Sequence, residues 1–238
     1  MDKKKVLPLQ SDKIKYTLLL GIKENGNVYF DDSYDLGGTE KTFRNYKLIK
    51  ILIHTAKDSN KNDIIVGLQT EYKNLTTGKR VSLPVRKSNK LYEDEVVHEI
   101  ELKPGEYFKE FYIRKDKKDN CIYQLGFETN KNNKLMPGAN IGDEIKGNLF
   151  GKNMVILGLS GDMNKRLNSI QVLYEDFEDY NQRQYLSYFE LKIFLKREKA
   201  KKEWGKKIKK LTKEYQYLYR TCLLPNTVFF CIMNFFKE

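Results

Sequence analysis

A chain of 238 residues with 40% hydrophobic and 32% charged side chains is long enough to bury a core and too apolar to stay a disordered tail. Its net charge of +12 is unevenly placed: residues 1–180 hold 30 Lys and Arg against 27 Asp and Glu, while residues 181–238 hold 14 against 5, so any attraction to an anionic partner belongs first to the tail. Cys121, Cys222 and Cys231 are odd in number and at no metal-binding spacing, which fits a reducing, cytoplasmic setting, and the aliphatic run at residues 18–20 is too short for a secretory signal.

Residues 1–15 read as a tail. Residues 16–178 read as one domain of short alternating strands separated by turn chemistry. Expected strands lie at residues 48–53, 64–72, 107–113, 122–130, 155–161 and 167–174. Between them, residues 58–63, 74–79, 103–105, 115–120 and 138–142 gather Gly, Asn, Asp, Pro and Lys. These residues supply positive or fixed φ and local side-chain caps, so each cluster ends a strand. The sequon Asn74-Leu75-Thr76 and the pair Gly37-Gly38 read as ordinary turns. No run in this region sustains a helical period.

The texture changes over residues 179–238. From 182 to 220 there is no Pro and one Gly among Lys, Glu, Leu, Tyr and Phe, a composition that favours helix. Trp204, Ile208, Leu211, Tyr215 and Leu218 recur at alternating steps of four and three, placing them on one face of an amphipathic, basic helix. That face is expected to pack on a protein partner or on the strand domain. The apolar run at residues 228–236 falls short of the roughly 20 residues a membrane-spanning helix needs, so no transmembrane segment is expected.

Little points to catalysis. His54 and His98 fall in different expected strands without neighbouring ligand spacing, Asp31, Asp32 and Asp35 lack the closing Glu of a calcium loop, and no phosphate loop or nucleophile elbow occurs. No enzyme, metal or cofactor is expected. Tyr16, Tyr29, Tyr72, Tyr107, Tyr112 and Tyr123 alternate with Lys on expected strands. Cross-strand packing explains them more simply than base stacking, so nucleic acid is not an expected partner.

The order Tyr29-Phe30-Asp31-Asp32, residues 65–72, residues 125–130, Gly138 with Gly142, residues 156–161 and then Leu167-Asn168-Ser169-Ile170 resembles a jacalin-like lectin domain. That resemblance implies an all-β fold over about residues 18–175: a β-prism of three four-stranded antiparallel sheets, followed here by a C-terminal amphipathic α-helix outside the family. It also implies an acidic pair, Asp31-Asp32, that stabilises the first hairpin. In such domains sugar is held at one end of the prism by a glycine-rich N-terminal loop, a variable recognition loop and a Gly-x-x-x-Asp loop before the last strand. Here these correspond to residues 23–26, 115–120 and 161–168, so Gly26, Gly161, Asp162 and Asn168 are the candidate carbohydrate-binding residues. The last loop reads about three residues longer than the family's, and Asn168 stands where the family has Asp. An amide lacks the charge and the two equivalent acceptors of a carboxylate. Asp162 would substitute if the loop folded back. Lys115, Lys117 and Lys118, with Lys165 and Arg166, would give the same end a basic rim suited to an anionic glycan or head group.

Two functional readings follow. One is a non-enzymatic lectin-like binding module with an altered sugar site. The other is a structural subunit of a cytoplasmic or cytoskeletal assembly, docking through the prism and the C-terminal helix.

Overall fold

The computed structural model describes residues 13–21, 28–116, 121–146 and 153–208. Strands β1 (Lys15–Tyr16), β2 (Leu20–Gly21) and β3 (Val28–Asp31) precede two one-turn helices, α1 (Asp32–Asp35) and α2 (Glu40–Phe43). Next come β4 (Tyr46–Lys57), β5 (Asp63–Asn74), β6 (Arg80–Ser82), β7 (Arg86–Lys87) and β8 (Val96–Glu101). Strands β9 (Phe108–Lys115), β10 (Ile122–Thr129), β11 (Lys134–Leu135) and β12 (Asp143–Lys146) follow, then β13 (Met154–Met163), β14 (Leu167–Asp176) and helix α3 (Phe177–Ile208).

The strands form three antiparallel sheets, as expected. The first runs β1-β14-β13-β3 with β2 also on β14, the second β6-β5-β4-β8 with β7 also on β5, and the third β11-β10-β9-β12. Each sheet therefore has four strand positions. In two of them one position is filled by two short pieces. The first and last strands share a sheet, so the chain closes on itself.

Alternation along each strand sends one side chain in two toward the middle, and the three inner faces meet there. Leu159, Ile170 and Val172 come from the first sheet, Ile51, Ile53, Ile65 and Leu68 from the second, and Phe111, Ile113, Leu125 and Phe127 from the third. Each such side chain stabilises the fold by about 1.5–3 kcal/mol on burial. A second, smaller cluster of Ala56, Ile64, Val66, Cys121 and Tyr123, with Tyr92, Ala139 and Ile141 against it, lies on other faces of the strands.

The acidic pair expected to stabilise a first hairpin sits instead where β3, paired with β13, passes into α1. Asp31 caps α1, accepting from the backbone N–H groups of Ser33 and Tyr34. The Asp32 side chain is fully buried and accepts from Thr70 Oγ1 (3.1 Å), Tyr72 OH (2.5 Å), Arg86 Nη2 (2.8 Å) and the Leu159 N–H (3.0 Å). Burial pushes its carboxyl above the ordinary value, while Arg86 and the other donors pull it back. One carboxylate thus joins α1, β5, β7 and β13. A side chain at Gly158 would collide with this knot, since a Cβ there would lie 2.8 Å from Tyr72 OH.

The chain divides into two compact units, residues 1–188 and 189–238. The first turns of α3 belong to the first unit. Arg183 donates to the carboxylate of Glu175 and to the carbonyls of Arg44 (2.6 Å) and Tyr46 (3.2 Å), and Phe177 and Tyr180 pack their rings on Tyr107. Trp204 and Ile208 of the expected apolar face fall within α3, whereas Leu211, Tyr215, Leu218 and the apolar run at 228–236 lie outside the described residues.

Candidate functional site

One end of the prism gathers polar loops. Strands β13 and β14 are joined by a three-residue turn, Asn164-Lys165-Arg166, closed by the Asn164 N–H donating to the Arg166 carbonyl at 3.1 Å. Across the turn Asp162 pairs with Ser169 and Met163 with Leu167, so Asn168 is the extra residue of a β-bulge. Bulges re-aim side chains. Asn168 is 7% exposed, and its Oδ1 has no hydrogen-bond partner among the described residues.

Strand β2 runs up against this bulge. Gly21 pairs with Ser169 at φ +104°, and a Cβ there would sit 2.0 Å from the Asn168 carbonyl oxygen, so only glycine permits the approach. On the other side β3 begins at Val28, opposite Met163. Strand β2 therefore ends, and β3 begins, beside the bulge. Gly26 lies outside the described residues.

A second loop, between β7 and β8, buttresses the turn. Ser88 Oγ donates to the Lys165 carbonyl (2.8 Å), the Asn89 N–H to the Asn164 carbonyl (2.8 Å), Asn89 Nδ2 to Asn164 Oδ1 (2.5 Å) and Tyr92 OH to the Lys165 carbonyl (3.0 Å). The third sheet joins through Arg166, whose guanidinium lies 5.5 Å from the Tyr123 ring and 3.5 Å from its hydroxyl. The turn is thus held from two sides before any ligand arrives, the preorganisation that tight polar recognition requires.

A family described as the jacalin-like lectin domain matches residues 24–173. The chain belongs to the jacalin-like lectin domain family. No curated protein matches it. Among solved structures it is similar to a mannose-binding jacalin-related lectin from Ananas comosus, with TM-score 0.50 and 18% identity over 68% of this chain and 98% of that one. Calystegia sepium agglutinin gives TM-score 0.52 at 12% identity over 70% and 99%. Frutapin, a lectin from Artocarpus incisa, gives 0.51 at 20% identity over 70% and 99%. At these identities the likeness shows the jacalin-like β-prism fold.

The structure brings together only part of the expected site. Gly161 is a strand residue of β13 paired with Phe30 and Ile170, and its missing side chain admits the Ser169 carbonyl oxygen, which a Cβ would meet at 2.2 Å. Asp162 is likewise in the strand, 2% exposed, and accepts from Ser169 Oγ at 2.8 Å. The loop is therefore no longer than three residues, and neither Gly161 nor Asp162 lies in it. Asn164 and Asn168 stand four residues apart, one at the start of the turn and one at the bulge. Lys165 is exposed at the tip, Arg166 half-buried beside it, and Lys115 half-buried at the end of β9 opposite Ile122 and Asp143. Lys117 and Lys118 lie outside the described residues.

Sequence reasoning missed Gly21, Asn164, Ser88, Asn89 and Tyr92. For Asn164 the four-residue step to Asn168 was an available signal. For the others contact across the chain is the only signal. Among the described residues no group of three or more His, Cys, Asp or Glu is arranged to hold a metal ion. His54 instead pairs with Glu95 (2.5 Å) and His98 with Thr55 (2.9 Å).

Proposed function

We propose that this jacalin-like domain is a non-enzymatic carbohydrate-binding module that takes its sugar at the bulge of Asn168, between the turn 164–166, the loop 88–92 and the ends of β2 and β3. The observation that carries the reading is the Oδ1 of the buried Asn168, without a partner among the described residues, because an unsatisfied buried acceptor is rare in a folded protein and costs about 1–3 kcal/mol unless a ligand or water satisfies it. A sugar hydroxyl is a donor of the right kind. Neutral rings offer little apolar area, so they are gripped by dense, oriented polar groups, and the two side-chain amides of Asn164 and Asn168 with the backbone of the turn supply them. The similar pineapple lectin is named for mannose binding. A cytoplasmic setting belongs to the same proposal and is supported by the odd number of cysteines, among which Cys121 is buried.

The test is binding of the full chain to a printed glycan array, repeated with Asn168→Ala and with Asn164→Ala. The reading expects specific glycans in the parent and their loss in both variants with the fold intact by circular dichroism. Specific binding that survives both substitutions removes the site from this end of the prism.

A further inference from the structure

The charge around the bulge says which sugars it selects. Residues 88–92 and 164–168 contain no Asp or Glu and three cations, Lys90, Lys165 and Arg166. Lys90 and Lys165 are both exposed, and neither forms an ion pair among the described residues. Aromatic faces hold two of the cations: the Lys90 ammonium lies 4.8 Å from the centroid of Tyr92, and Arg166 lies over Tyr123. A ring quadrupole positions a cation without neutralising it, so the charge of Lys90 stays available to a ligand.

Some of the carboxylates nearby are occupied or turned inward. Asp162 is buried and receives Ser169 Oγ. In the loop leading to β8, Asp94 accepts from the Lys57 N–H, and Glu95 accepts from Lys87 (2.8 Å) and pairs with His54, which hold its carboxyl below the ordinary range. Glu93 is exposed just beyond Tyr92, and burial first, then the negative charges of Asp58 and Asp94, raise the Tyr92 hydroxyl above its ordinary value. At the bulge itself the buried side chain is the neutral amide of Asn168. A carboxylate there would repel an anionic sugar, and an amide does not.

We propose that the ligand of this site is an anionic glycan, a sugar carrying a sulfate ester, met by Lys90, Lys165 and Arg166 while Asn168 and Asn164 take its hydroxyls. The inference rests on the carbohydrate-binding reading above. Fixed cations on two loops that are already hydrogen-bonded to each other would form charge-assisted bonds to the ester oxygens at little ordering cost.

The experiment measures binding of the full chain to a heparin-derived hexasaccharide and to its chemically desulfated, re-acetylated counterpart. The proposal expects the sulfated form to bind at least about tenfold more tightly, the range of one or two charge-assisted hydrogen bonds. That preference should vanish in the exposed double variant Lys90→Glu/Lys165→Glu and weaken in Asn168→Asp. Equal binding of the two sugars, or a preference lost in Lys199→Glu/Lys201→Glu/Lys202→Glu of α3 but kept in the double variant, overturns it. Neutral-sugar binding that is lost in Asn168→Ala would overturn the anionic specificity and leave the binding module standing, whereas absence of any glycan binding removes both.

Discussion

Replacing Asp32 with Ala removes the acceptor shared by Thr70, Tyr72, Arg86 and the Leu159 N–H, and strands a guanidinium that is 7% exposed. Breaking a buried pair by deleting one partner costs about 3–5 kcal/mol. Asp35 stays 2.6 Å from Arg86 and is itself 35% exposed, so part of the charge remains compensated and the lower end, about 3 kcal/mol, is expected. For a domain of this size each kcal/mol shifts Tm by about 2–4 °C, giving a fall of about 6–12 °C. Urea denaturation with an unchanged slope and a scan of thermal unfolding measure it. Asp35→Ala is the control, expected to cost under about 1 kcal/mol because Asp35 is itself part-exposed and Arg86 keeps the buried Asp32 as its partner. Replacing both members of the pair, as Asp32→Ala/Arg86→Met, should recover much of the loss, because no buried charge is then left alone. Equal losses for Asp32→Ala and Asp35→Ala, or a loss below about 1 kcal/mol for the first, would refute the account of this knot.

Three further outcomes are expected. Arg183→Ala leaves the fully buried Glu175 facing Arg44 as its remaining cation among the described residues, so stability should fall by about 3 kcal/mol, with faster amide exchange in the first turns of α3 than in β4 or β10. Gly21→Ala forces a side chain into the Asn168 carbonyl at φ +104°, so glycan binding should fall further than global stability; an unchanged glycan affinity would contradict the bulge geometry. The Tyr112 hydroxyl and Lys109 hold the Glu128 carboxyl below the ordinary range, and Lys13 does the same for Asp179. Folded values depressed below unfolded ones mean that this stability is complete above about pH 4.5 and drains away as pH falls through the folded values. Acid scans of Tm should therefore steepen below that pH, and less so in Asp179→Asn.

The long strands were legible because period-two alternation is strongest where one face is buried. The expected segments 48–53 and 64–72 extend to β4 and β5, and the strands expected at 122–130 and 167–174 became β10 and β14 within two residues. The tyrosines read as packing residues on strands include Tyr72, Tyr112 and Tyr123, all buried. The one-turn helices α1 and α2 were invisible, since four residues carry no period and are fixed by the caps of Asp31 and Thr39. The two-residue strands escaped for the same reason. Arg86, the cation that meets Asp32, lies 54 residues along the chain, a distance no local pattern encodes.

Of the candidate site, Asn168 was singled out through the jacalin-like resemblance, by its place before Ser169-Ile170, and lies at the bulge, whereas Gly161 and Asp162 look like loop residues by composition and prove to be strand residues because ladder pairing with β3 and β14 overrides their turn preference. The loop 88–92 carries Ser, Asn and Lys like any surface turn. Only its hydrogen bonds to the carbonyls of Asn164 and Lys165 make it part of the site.

Titrating the isotope-labelled full chain with the best array sugar and following backbone amide shifts tests the sugar-binding account most directly. It predicts perturbations concentrated at residues 164–169, 88–92 and 20–21, with the Asn168 side-chain amide among the largest. Shifts confined to the outer sheet faces or to α3, with those three segments unmoved, would contradict it.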